Sequence, residues 1–201
     1  HSWGFFIEDF MGPILSIGQQ AILYAGESYT FTPSFRHIAA VGEPEQIVDY
    51  YNYLTSDNAD TVALCSMAHD VMSACSDREL PKGLLWETAN SWDGKRVVMV
   101  KGKVDLSAQI LMAVDLLYMG IIGKQFKLKE QGEKRALIEF DPSSFVSSAV
   151  VHLGMQPEQA WSLTITEFNT FIRDKYPDLY QPDLPSADEI ERLFSSTDSL
   201  L

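Results

Sequence analysis

The stretch that most narrows the fold lies at residues 105–122, where apolar side chains recur at helical spacing over about five turns. Leu106, Ile110, Val114, Leu117 and Ile121 line one face, and Leu111, Tyr118 and Ile122 line the next. An apolar arc this wide belongs either to a central buried helix or to one that keeps a face for a partner. The main stripe is expected to be core, which leaves Leu111, Tyr118 and Ile122 as the candidate partner-facing residues. Asp115 stands opposite the main stripe. The apolar run at residues 108–123 is shorter than the ~20 residues a membrane span needs and is interrupted by Asp115, so no transmembrane segment is expected.

The flanking segments supply short elements that could wrap such a helix. Residues 21–24 and 29–32 alternate around Ala25-Gly26-Glu27, a hairpin pattern ended by Pro33. Ser34 can cap a short turn through Phe35, Ile38 and Val41, closed by Gly42. Pro44 opens an amphipathic surface helix bearing Ile47, Val48, Tyr51 and Leu54. Residues 58–75 put Leu64, Ala68, Val71 and Cys75 on one helical stripe with Met67 at its edge. Residues 86–92 and 95–101 flank Asp93-Gly94, a dipeptide suited to a type I′ turn with φ > 0 at both positions. Residues 124–135 read as a basic loop or loose hairpin.

Punctuation is clearest toward the end of the chain. Asp141-Pro142 opens a helix through Phe145, Val146, Val150 and Leu153 that Gly154 closes in the left-handed region. Pro157 starts a short helix to Trp161. Thr164 and Glu167 then form a capping box, with Leu163 and Phe168 as its hydrophobic staple, and Phe168, Phe171 and Ile172 are expected to face inward until Pro177. The expected fold is a predominantly helical α+β domain over residues 17–177, with about six helices and one or two small hairpins. Residues 1–16 read as an N-terminal extension in which His1 and Ser2 are an expression remnant, and Met11 could be the natural start. Residues 178–201 hold 6 acidic side chains and 1 basic one and read as an acidic, partly disordered tail. Ile190, Leu193 and Phe194 form a small apolar face there, a candidate partner-recruiting element.

Charge excludes one class of partner. The net charge of −13 repels phosphate backbones, so nucleic acid is not expected. The distribution is uneven: residues 1–80 hold 11 acidic and 2 basic side chains, whereas residues 82–135 hold 6 and 10. A basic middle between acidic ends is solvated surface, or a means of self-association and docking through complementary faces. Cys65 and Cys75 fall about 15 Å apart along one helix, too far for a disulfide, which suits a reducing compartment. The same spacing argues against zinc held by Cys65, His69 and Cys75, so no metal and no cofactor are expected. His37, His69 and His152 are scattered, and no nucleophile motif, phosphate loop or metalloprotease motif occurs, so no catalytic residues and no enzymatic activity are expected.

One resemblance runs along the chain. Phe31-Thr32-Pro33-Ser34-Phe35 is followed by Val41-Gly42-Glu43-Pro44-Glu45-Gln46-Ile47-Val48, then by Gly120-Ile121-Ile122-Gly123-Lys124. Leu153-Gly154-Met155, Leu163-Thr164-Ile165-Thr166-Glu167-Phe168 and Lys175-Tyr176-Pro177 complete the series. In this order, over residues 17–177, they resemble an uncharacterised family encoded among the tail genes of long-tailed bacteriophages. The short helix followed by Leu-Thr-x-x-Glu-Phe is similar to the ending of tail assembly chaperones. The resemblance implies a chaperone that binds the tape measure protein in the cytoplasm of the infected host while tail tube protein polymerises around it, absent from the finished particle. It implies no catalytic residue. A structural minor tail or tail completion protein of the virion is the alternative.

Overall fold

The computed structural model describes residues 13–127 and 138–180. Its first element after a 3-10 turn at Leu15–Ile17 is a hairpin of β1 (Gln20–Tyr24) and β2 (Glu27–Phe31). Its loop has two residues rather than three. Ala25 and Gly26 both take positive φ, 53° and 82°, the geometry whose twist matches paired strands. Chain direction then changes at Pro33, and Ser34 accepts a hydrogen bond from the amide of His37 to start α1 (Phe35–Ala39). Pro44 stands first in α2 (Pro44–Leu54), as its fixed φ and missing donor favour, and Ile47, Val48 and Leu54 are that helix's buried face.

Two long helices form the centre. α3 (Thr61–Cys75) starts three residues later than its apolar pattern, because Asp60 accepts from the amides of Val62 and Ala63 and fixes the N-cap there. α4 (Leu106–Ile121) begins after Asp105, which caps the amides of Ser107 and Ala108. These two share the most extensive helix pairing of the described residues. Between them lies a second hairpin, β3 (Glu87–Asn90) and β4 (Val97–Val100), in register from Glu87 opposite Val100 to Asn90 opposite Val97. Its strands are shorter than the alternation at residues 86–101 predicts. The turn also departs from type I′: Gly94 has φ +68° but Asp93 is not left-handed, and the Gly94 amide donates to the Ser91 carbonyl. Six residues connect the strands instead, with a turn over residues 91–94 that ends in one left-handed glycine.

The remaining chain packs across α1. α5 (Pro142–Ser148), capped by Asp141, runs straight into a π-helical turn at Ala149–Leu153, ended as expected by Gly154 at φ +70°. The short α6 (Pro157–Ser162) precedes α7 (Ile165–Lys175), and a 3-10 turn at Pro177–Leu179 ends the described region. The fold is thus α+β and mainly helical, with seven α-helices and two small antiparallel hairpins among the described residues. Phe35 stacks on Phe145 at 5.5 Å between centroids, and Phe140 stacks on Phe145 at 5.2 Å. Phe168 meets Phe145 edge-on at 5.5 Å, closing an aromatic cluster of the core. Phe171 does not join it: 40% exposed, it points away while Phe168 is buried, because the helix turns Ile165, Thr166 and Phe168 inward instead.

The centre is also rotated from the expected stripe. On α4 the buried residues are Gln109, Ala113, Leu116, Leu117, Gly120 and Ile121, while Leu106, Ile110 and Val114 are only half-buried. Small residues set this rotation. A Cβ at Gly120 would overlap the Ile38 side chain, so α1 and α4 approach where only glycine fits. On α3, Cys65 and Met72 are fully buried, whereas Leu64 is only partly covered.

Candidate functional site

α4 carries the expected partner-facing residues, and the structure divides them. Leu111 is 68% exposed and Tyr118 is 41% exposed, two turns apart on the outer side of the helix. Ile122 is partly buried and packs against the core, so it belongs to the interior edge. Between the two exposed residues, Asp115 accepts a 2.6 Å hydrogen bond from Gln20 Nε2, which ties β1 to the helix. Tyr118 lies 6.5 Å from Tyr51 on α2, ring centre to ring centre. The outer stripe is therefore two apolar side chains bracketing an oriented carboxylate.

The capping motif is structural and fully engaged. Thr164 is completely buried. Its amide and hydroxyl donate to Glu167 Oε2 at 2.9 and 3.0 Å, and the Glu167 amide donates back to Thr164 Oγ1 at 3.3 Å. The Leu163 carbonyl accepts from the Phe35 amide at 2.8 Å, so the cap also fastens α1. Leu163 and Phe168 are both buried in the core. The other candidates, Ile190, Leu193 and Phe194, lie outside the described residues, as does most of the basic loop read at 124–135.

Titratable groups behave as interior or surface residues. Cys65 and Cys75 are free and buried. Burial, with Asp77 adding its charge, pushes the Cys75 thiol up to about 12, and burial beside Glu87 raises that of Cys65. Both are protonated at neutral pH and are poor nucleophiles. Tyr50 is raised by burial and by Asp70, to which its hydroxyl donates at 3.4 Å. Among the described residues no three His, Cys, Asp or Glu side chains gather as a metal site. A cleft of about 350 Å³ is lined by His69, Ser73, Glu79, Lys82 and Glu87 among others, but His69 and Ser73 share no hydrogen bond among the described residues. A nucleophile would need that base.

A second surface is one that the sequence did not single out. All four residues of β4 are exposed, and Trp92 in the adjoining turn is 99% exposed. A run such as Val97-Val98-Met99-Val100 reads as a strand hidden on both faces. The signal against that reading lay in its flanks, where Lys95, Arg96, Lys101 and Lys103 bracket the strand with charge.

These features define an α-rich α+β domain built on a central helix pair, with apolar side chains exposed on one helix and on one edge strand. The chain belongs to a family of unknown function (DUF6246), whose model matches residues 58–191. That match takes in α3, the second hairpin, α4 and the capping motif. No curated protein and no solved structure matches the chain. No helix among the described residues is long and apolar enough to cross a membrane.

Proposed function

We propose that this protein is a non-catalytic binding protein that holds an apolar helical segment of a client on the outer face of α4. In the setting that the sequence resemblance implies, it acts as a phage tail assembly chaperone in the host cytoplasm, its client is the tape measure protein, and it releases that client as tail tube protein polymerises. The observation that carries the reading is the exposure of Leu111 and Tyr118 on a helix whose opposite face is wholly buried. Two apolar anchors two turns apart suit a helix laid alongside, since a client helix repeats its own apolar residues at i and i+7. Asp115 between them, held by Gln20, offers a fixed acceptor for register.

Co-expression tests this directly. Wild-type protein is expected to keep the tape measure protein soluble and to copurify with it. Leu111→Asp, at the more exposed of the two positions, removes that rescue while leaving the melting temperature near wild type, because exposed substitutions change stability by only about ±0.5 kcal/mol. Ile122→Asp lowers the melting temperature instead, since it puts a charge against the core. Wild-type protein that neither solubilises nor copurifies with the client overturns the proposal, and its presence in purified particles points to a structural tail component.

A further inference from the structure

Strand β4 has an open edge. It pairs with β3 in a sheet of two strands, and among the described residues its other edge meets no strand. Val97, Val98, Met99 and Val100 are exposed by 38–54%, so the strand is only partly covered, with α3 the helix that packs beside it. A ribbon of this size is marginal alone, yet this one is fastened at its base. Gln109, fully buried, accepts from the Trp86 amide at 2.7 Å and donates to the Trp86 carbonyl at 2.9 Å, the pairing a neighbouring strand would make. The Trp86 indole donates to the Val104 carbonyl at 2.8 Å. Gly102 lies so close to Leu85 and Trp86 that a Cβ there would overlap their backbone.

Charge surrounds the open edge. Lys95 and Arg96 precede β4, Lys101 and Lys103 follow it, and all four are exposed without an ion pair among the described residues. The carboxylates of the ribbon are Glu87, opposite Val100, and Asp93 in the turn. Asp93 is already engaged by the Ser91 hydroxyl and the Lys95 amide, which hold its carboxyl below the usual range.

We propose that the open edge of β4 takes an extended acidic segment of another protein as a third strand. The segment has an apolar centre facing Val97–Val100 and carboxylates at both ends. Backbone groups of the edge give the affinity and the basic flanks select the charge. From Arg96 to Lys101 is about 17 Å at strand rise, so the carboxylates stand five or six positions apart. A second copy is disfavoured in the register that pairs the whole strand, because antiparallel self-pairing centred between Val98 and Met99 sets Arg96 against Lys101 of the other copy at both ends. A lipid phase would leave the edge amides and carbonyls unpaired. The aliphatic strand has no ring for a base to stack on except Trp92 at its turn, and the chain's net charge of −13 repels phosphate.

The test titrates the full chain with blocked peptides of about eight residues, the length of the basic span. One has alternating Val and Thr between acidic ends, one has the same centre between lysines, and two carry the acidic sequence N-methylated on one or the other alternating set of amides. Saturable binding of the acidic peptide about tenfold tighter than the lysine peptide is expected, abolished by one methylated set and retained by the other. Amide exchange at residues 97–100 slows on binding. Replacing Lys95, Arg96, Lys101 and Lys103 together by Glu reverses the preference, whereas Leu111→Asp leaves it unchanged, so this result stands apart from that for α4. Absence of saturable binding overturns the proposal, as does indifference to end charge or to methylation, dimerisation through β4, or preferential binding of phosphatidylserine vesicles or oligothymidylate.

Discussion

Replacing Gln109 by Ala removes the clamp between α4 and the second hairpin and should cost more than any surface change on that helix. The side chain is fully buried and makes both of its hydrogen bonds to one residue, at 2.7 and 2.9 Å. Truncation leaves the Trp86 amide and carbonyl without partners, each worth about 1–3 kcal/mol when fully buried. Trp86 is only half-buried, so water recovers part of this and about 2–4 kcal/mol is expected in all. For a chain of this length that is about 5–15 °C in melting temperature, read by urea or thermal unfolding. Amide exchange should quicken most at Thr88–Asn90 and Val97–Val100. Gln109→Glu supplies a control with a definite sign. Its carboxylate can accept from the amide but cannot donate to the carbonyl, and burial raises its folded pKa above the unfolded value of about 4.3. The folded state then binds the extra proton, so stability relative to wild type is greatest below about pH 4.3 and falls as pH rises toward the folded pKa. A Gln109→Ala loss under about 1 kcal/mol, or a Gln109→Glu variant indifferent to pH, would refute the clamp.

Two further substitutions test the interior. Thr164→Val removes the hydroxyl of the capping box inside the core and should destabilise by about 1–2 kcal/mol, measured by urea unfolding, with Thr164→Ser recovering most of it. Cys75 should resist a thiol reagent in the native protein, and its thiol, raised to about 12 from 9.0, should make stability fall between those pH values, because the unfolded thiol loses its proton first. Cys75→Ala should flatten that part of the profile.

Local chemistry made most helix ends and both hairpins legible. Ser34, Asp141 and Thr164 are all N-caps where the sequence places them, and Gly154 closes its helix. Such signals act within one turn of chain, so they survive whatever the tertiary packing does. Rotation of the central helices was not legible. Hydropathy favoured Leu106, Ile110 and Val114 as the core stripe of α4, but the buried face runs through Ala113 and Gly120 instead, and at Gly120 the approach of α1 leaves room only for glycine. Gln109 was hidden for a related reason: a polar residue reads as surface until a backbone is found to satisfy it. Of the candidate surface, Leu111 and Tyr118 were legible, and Ile122 turned inward with the seam.

The β3–β4 ribbon illustrates what an apolar run means when its flanks are charged. Four aliphatic side chains hidden on both faces would each gain about 1.5–3 kcal/mol over exposure, and in β4, with its side chains 38–54% exposed, roughly half of that gain is forgone. Order comes from the base instead, where Gln109 and Gly102 bind the strand entries to α4 and to each other at fixed positions. Such an arrangement leaves the ribbon standing with its edge open while the basic residues at either end oppose pairing between copies. Covering that edge would then add burial and backbone hydrogen bonds to a strand already in place, so the entropy of ordering it has largely been spent before a partner arrives. Weakening the clamp should accordingly lower affinity for an added strand more than the loss of any single apolar contact, even though Gln109 lies beneath the ribbon and touches no part of its exposed faces.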